Sequence, residues 1–584
     1  MKSAPMGGLR PENGPGSRPE APDVLTRLQR DAWRALVASR LYPLTLIGPV
    51  PADLHMKLGE RWPGDGKRGE AILAGDIEFA GELVRNPLPV WFPPRAGTGW
   101  LAEWHGFTWL ADLIGLGAAA RDPARALVQS WLADNTAWHP IAWRADVAAT
   151  RIFNWIVHFD EVAGREADRA LRRAMLTSIA RQMRHLSRTA TWEVPGAARL
   201  RALKGLVVGL AALGASPTRV ARPLAVFDRE LTSQILPDGG HRSRSPSLQL
   251  SVLRDLIDTR TALRAAHIEV PAALQQAIER MAPILRFFRH GDRRLALFNG
   301  SVEEDGVLVD LVLTRSETRG HPPVQARYSG FQRLQAGQSL VLVDAGEPMR
   351  GFDAEAHAGM LSFELSHGRD RIIVNCGGYR GPNGSWRRVA RSSAAHSVLV
   401  VGDTSCIEIQ ADGSLGNGPS TVRCERAEEG GHQWIALGHD GYRARFGVIY
   451  ARELYLAADG DDLRGEDKLT GRAGAAFAVR FHLHPAIDAS LLENAGGAVL
   501  RLPGGATWRL RAAGAEMSLG ESIYLGSGDL RKTQQIVLSG MTGPNGATVR
   551  WALRRETNRP DQPAQAAFAP TPAEKPAEGA NDGA

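Results

Sequence analysis

The chain has 584 residues, 43% of them hydrophobic, so at least two domains with ample core material are expected. Its formal net charge of +7 and pI near 9.5 favour a polyanionic partner, whether a uronic-acid polymer, nucleic acid or an anionic membrane surface. No uninterrupted apolar run reaches the roughly 20 residues of a spanning helix, and the three cysteines, Cys376, Cys406 and Cys424, form no CxxC pair, so neither a transmembrane segment, a disulfide framework nor a zinc knuckle is expected.

Residues 1–23 are rich in Gly and Pro and lack the apolar stretch of a secretory signal, which predicts a disordered start and, from sequence alone, a cytoplasmic protein. Between residues 24 and 290 apolar side chains recur at three- and four-residue spacing, as in Leu25, Leu28, Trp33 and Leu36, or Val147, Ile152, Trp155 and Ile156. This pattern predicts a helical domain, with helices near 101–118, 122–133, 143–163, 166–188, 196–214, 218–235, 246–267 and 271–288. Eleven of the fifteen tryptophans fall before residue 193, and at helical spacing most of them belong in a core, leaving one or two to line a cleft. The stretch QILPDGGHRSRSPS, 234–247, puts His241, Arg242 and Arg244 in a loop, where they offer either a basic edge for an anion or a plain turn between helices.

Near residue 293 the texture changes to short alternating segments at 295–298, 307–313, 339–343, 361–365, 371–374 and 397–401, punctuated by Gly, Asp and Asn. Residues 291–558 are therefore expected to form an antiparallel β-sandwich, followed by a disordered tail at 559–584. This half holds the densest polar cluster: Asp353, Glu355 and His357, then Asn375 to Tyr379 in NCGGY, His396 in SSAAHSVLVV, and His439, Asp440 and Tyr442 in HDGY. His357 and His396 could share a metal with Asn375, or all could be satisfied structural groups.

Four segments, DGGH-x-x-x-SP, AHA-x-x-LSFEL, NCGGY and AAHSVLVV, resemble in this order motifs of the heparinase II/III-like polysaccharide lyases, and the similarity spans most of residues 75–555. The resemblance implies an incomplete (α/α) toroid followed by a β-sandwich, with a cleft between them that takes an acidic polysaccharide of the glycosaminoglycan kind. Several members of the family cut uronic-acid polymers by β-elimination. That reaction needs a group to neutralise the uronate carboxylate, a base for the proton on the adjacent carbon, and an acid for the leaving oxygen. The resemblance also implies a structural zinc held by His357, Asn375 and His396, with Asn375 standing where the family has Asp.

Elsewhere the chain departs from the pattern. Glu355 stands where the family's first His is expected, Gly359 replaces an Asp, and Leu248 follows the SP pair where a catalytic Tyr would lie. The helix that carries an Asn-His pair in active lyases reads Ala197, Ala198, Arg199, Leu200 here. The catalytic roles are then expected to pass to His241, Glu355 and Tyr442, with Arg199, Arg244 and Tyr379 as substrate-binding groups. Two readings follow: a lyase with rearranged proton-transfer groups, or a catalytically impaired glycan-binding or cell-envelope protein on the same fold. No P-loop, helix-turn-helix or RNA-recognition signature appears, so neither a nucleic-acid partner nor a nucleotide cofactor is expected. The family resemblance implies a cell-envelope or periplasmic setting, against the cytoplasmic reading of the N-terminus.

Overall fold

The computed structural model describes residues 32–556, apart from 34, 38, 40, 60, 61, 88, 89, 165–168, 350, 353 and 493–495. The ends expected to be disordered, 1–23 and 559–584, lie outside the described residues, as does Asp353.

In the helical half, the helix Gly196–Ala212 packs against Ala145–Val157, Arg169–Thr189, Pro217–Gln234 and Pro246–Ala265. Two glycines make that crowding possible. A Cβ at Gly205 would run into Ala149, and one at Gly209 into Met183, so only a bare backbone admits both neighbours. Trp100, Trp104, Trp109, Trp131 and Trp155 are fully buried, as their spacing predicted. Trp104 stacks against both Trp91 and Trp109 at 4.9 Å between centroids, and the Arg151 guanidinium lies 4.2 Å from the centre of the Trp131 ring.

The expected strand at 307–313 is a helix, Gly306–Arg315. Its apolar run VLVDLVL is short enough for either structure, and the deciding residue is Asp305, whose side chain caps the helix by accepting the Val307 N–H. Segment 295–298 joins no strand ladder; it is buried, with one isolated bridge between Arg289 and Leu295.

Among the described residues, the chain beyond this helix builds an eight-stranded and a nine-stranded sheet, antiparallel throughout. The nine-stranded sheet contains Ser339–Asp344, Phe363–His367, Asp370–Val374 and Ala476–Leu483; the eight-stranded sheet contains Val448–Leu456, Asp462–Gly471 and Ala547–Arg555. Phe363 of the first stacks on Trp551 of the second, 5.6 Å between ring centres. Fully buried among these side chains, Arg452 pairs with Asp467 at 2.7 Å, and Tyr450 and Trp551 donate to the same carboxylate. A buried ion pair is tolerable when its remaining hydrogen-bonding capacity is met in this way. The molecule is thus a helical region followed by an antiparallel β-sandwich, and no helix among the described residues is long and apolar enough to cross a membrane.

Candidate functional site

The DGGH-x-x-x-SP stretch lies on the seam between the halves. The Asp238 carboxylate accepts the backbone N–H groups of Tyr328 at 2.8 Å and Ser329 at 2.7 Å. Gly239 sits at φ +88°, and a Cβ there would strike the carbonyl of Arg280. Arg244 is buried, pairs with Asp344 and donates to the Ser329 carbonyl at 2.7 Å. Ser245 Oγ meets Ser301 Oγ at 2.9 Å, and the Ser247 N–H donates to that same hydroxyl at 3.0 Å. Farther along the seam, His290 Nε2 lies 3.0 Å from Glu364, whose carboxylate also accepts the N–H groups of Leu297 and Asn375.

This arrangement corrects several expectations. His241 is 1% exposed, with Nδ1 on Ser243 Oγ at 2.8 Å and Nε2 on Gln234 Oε1 at 3.2 Å. Burial lowers its pKa to about 4, so it is neutral and both ring nitrogens are engaged. Tyr442 belongs to the sandwich core, where its hydroxyl donates to the Leu399 carbonyl at 3.2 Å and burial raises its pKa well above 10.0. Neither is placed to exchange a proton with a polysaccharide. Arg244 is likewise committed to Asp344, and Arg199 pairs with Glu230 at 2.8 Å while donating to the Val194 carbonyl at 3.0 Å.

The groups still open to a ligand gather around Arg380, which follows NCGGY directly. Arg380 is exposed and pairs with Glu304 at 2.6 Å. Half-buried Glu355 stands close by because the loop opposite it has no side chain: a Cβ on Gly300, at φ +71°, would lie 2.6 Å from Glu355 Oε2. Burial raises the Glu355 carboxyl above the usual carboxylate range, outweighing the pull of Arg380, Arg391 and Arg387. From the helical half, half-buried Glu103 is raised by burial in the same sense, against Arg68, Arg380 and Arg201, and accepts the Ala80 N–H. Arg380 therefore lies in the field of carboxyls from both halves, with half-buried Tyr379 beside it. Deeper in the helical half, Lys204 is buried between Asp255, at 2.8 Å, and Asp258, with its ammonium 3.8 Å from the centre of the Phe153 ring. Sequence reasoning missed Arg380, Glu103 and Glu304, which converge only in space; the one available signal was the position of Arg380 next to NCGGY.

His357 and His396 do come together, His357 Nδ1 to His396 Nε2 at 3.1 Å. His396 Nδ1 faces the Ser392 carbonyl at 2.7 Å and must carry the proton, so its Nε2 accepts from His357 Nδ1–H. A zinc bound by both rings would need two further donors. Asn375 does not supply one: its Oδ1 already accepts the Ser397 N–H at 3.0 Å, and its amide nitrogen is buried without a hydrogen-bond partner. Among the described residues no three His, Cys, Asp or Glu side chains cluster as metal ligands. The residues present do not fit a structural zinc, and a histidine–histidine hydrogen bond occupies its expected place. Burial lowers both pKa values, that of His396 to about 4.

Comparison with known proteins agrees with this architecture. The family described as "Heparinase II/III-like, C-terminal" matches residues 318–557. FtsZ-localized protein C of Caulobacter vibrioides (strain NA1000 / CB15N) is 29% identical over 536 residues, 87% of this chain and 91% of that protein. The crystal structure of heparinase III superposes with a TM-score of 0.69 at 12% identity, covering 91% of each chain. A mutant of the heparan sulfate lyase HepC from Pedobacter heparinus gives a TM-score of 0.59 at 14% identity, covering 91% of this chain and 89% of the other. At such identities the solved structures speak for the fold, an incomplete α/α toroid followed by a β-sandwich. Residues 318–557 thus carry a heparinase II/III-like C-terminal domain, and the whole chain has the fold of heparinase III.

Proposed function

We propose that this polysaccharide lyase-like protein takes a uronic-acid-containing polysaccharide into the cleft between its halves and cleaves it by β-elimination. The observation that carries the reading is the raised, half-buried Glu355 carboxyl standing in the field of the exposed Arg380 guanidinium, which itself pairs with Glu304. Arg380 neutralises the uronate carboxylate, which makes the proton on the adjacent carbon more acidic. Glu355 takes that proton, the bond from the next carbon to the glycosidic oxygen breaks, a carbon–carbon double bond forms, and Tyr379 supplies a proton to the leaving oxygen. A carboxyl whose pKa is raised toward neutrality is a better base than an ordinary surface glutamate.

A second reading, glycan binding without turnover, is favoured by Leu248 at the SP pair and by the burial of His241 and Tyr442. The relative named FtsZ-localized protein C supports a place for such a binder at FtsZ. The test is incubation with heparan sulfate, alginate and polyglucuronate while following the ultraviolet absorbance of the unsaturated product. Product from the wild type and none from Glu355→Gln supports elimination. Binding by folded protein without product on any of the polymers supports the second reading.

A further inference from the structure

A bridge crosses between the halves immediately beside Tyr379. It is the tip of the hairpin formed by Asp76–Phe79 and Glu82–Arg85, two strands of the helical half joined by Ala80 and Gly81. Both turn residues have positive φ, 49° and 67°, as a two-residue hairpin turn of this hand requires. Gly81 lies against the β half so closely that an added Cβ would be 3.0 Å from both the Cα and the nitrogen of Gly381. Gly381 is hemmed in on another side, where a Cβ would strike the Tyr379 hydroxyl. Two glycines thus meet backbone to backbone, with the candidate substrate-binding ring packed against one of them.

The tip is held in place rather than hung as a flap. Ala80 donates its N–H to the Glu103 carboxylate, Glu82 accepts the Gly97 N–H at 2.9 Å, and Ile77 and Phe79 anchor the first strand in the core. A second crossing lies at Phe352, whose ring meets His241 at 5.5 Å and would touch a Cβ on Gly196 at 3.4 Å. In the proposed glycan cleft, fixed backbone at these two crossings bars the middle of a long polymer from entering sideways, so that a chain enters by its end.

We infer that the Gly81–Gly381 bridge makes this protein a chain-end reader, so that an acidic polysaccharide is engaged at a terminus and not along its length. The inference rests on the cleft being the glycan site, and its test needs no turnover. The full-length protein is titrated calorimetrically with size-fractionated oligomers of the uronate polymers above, and the number of protein molecules bound per chain is read. A ratio that stays constant as the chains lengthen is expected, together with a loss of affinity of about tenfold or more when both chain ends carry a bulky label. A ratio that rises with chain length, or labelled chains that bind as well as free ones, overturns chain-end entry while leaving the glycan site intact. Failure to bind any of the polymers overturns the glycan reading and this inference with it. Gly81→Trp, checked for an unchanged melting temperature, should prop the bridge open and let the ratio climb with length; an unchanged ratio in that folded variant counts against the bridge as the cause.

Discussion

The loop carrying His241 and the loop carrying Glu355 were both marked by the sequence as places for chemistry, yet the structure uses them in opposite ways. Around His241 the polar groups are tied to the protein: Asp238 holds the backbone of Tyr328 and Ser329, Arg244 holds Asp344 although its Nη1 is buried without a partner, and both histidine nitrogens are occupied. Around Glu355 the carboxyl is half-buried, raised in pKa and faced by an exposed arginine. A motif can persist because it fastens two halves together, whereas the groups proposed to meet a ligand lie where the fold leaves side chains exposed or half-buried.

The sharpest way to break this contrast is acid. His241 has its pKa lowered from 6.5 to about 4, as do His185, His396 and His439, and in His105 and His482 it falls to about 3. Groups depressed on folding contribute stability that is fully present above pH 6.5 and is lost as pH falls towards 4, about 3 kcal/mol for His241 alone. Several such histidines together exceed the usual stability of a fold, so circular dichroism should show unfolding before pH 4 is reached. Glu355 titrates in the opposite sense: the cost of its ionisation is absent below about pH 4.5 and grows as pH rises through its raised value.

Next in size, Arg244→Ala strands the buried Asp344 carboxylate and should cost about 3–5 kcal/mol by chemical denaturation. His241→Ala should cost about 1–3 kcal/mol while leaving glycan binding unchanged at temperatures where the variant is folded; loss of binding without loss of stability would return His241 to the site. Glu355→Gln should move stability by less than about 1 kcal/mol yet lower product formation by about 100-fold or more. Smallest of all, a chelator should leave the wild-type melting temperature unchanged, since His357 and His396 are joined by a hydrogen bond to each other.

Much of the fold could be read from residue spacing. Helical periodicity placed Trp155 and Ile152 on a buried face, and the change of texture near residue 293 announced the sheets. The run at 307–313 misled because seven apolar-rich residues satisfy either period, and the arbiter was a single cap at Asp305. The site was far less legible. Burial of His241 and Tyr442 depends on which segments pack over them, and Glu103, Glu304 and Arg380 are ordinary charged residues until the halves bring them together. Glu355 was visible because it occupies a position where the resemblance predicted a histidine.

The seam also bears on what counts as a unit of this molecule. The family match begins at residue 318, between the two sides of that network: Asp238, Arg244 and His290 precede it, while Ser329, Asp344 and Glu364 follow. A fragment cut at this point would keep a carboxylate from a buried ion pair and lose its cation, and would leave backbone donors facing solvent. Scanning calorimetry of the whole chain should accordingly give a single heat-absorption peak, with toroid and sandwich melting together although the C-terminal portion is recognised by itself from sequence.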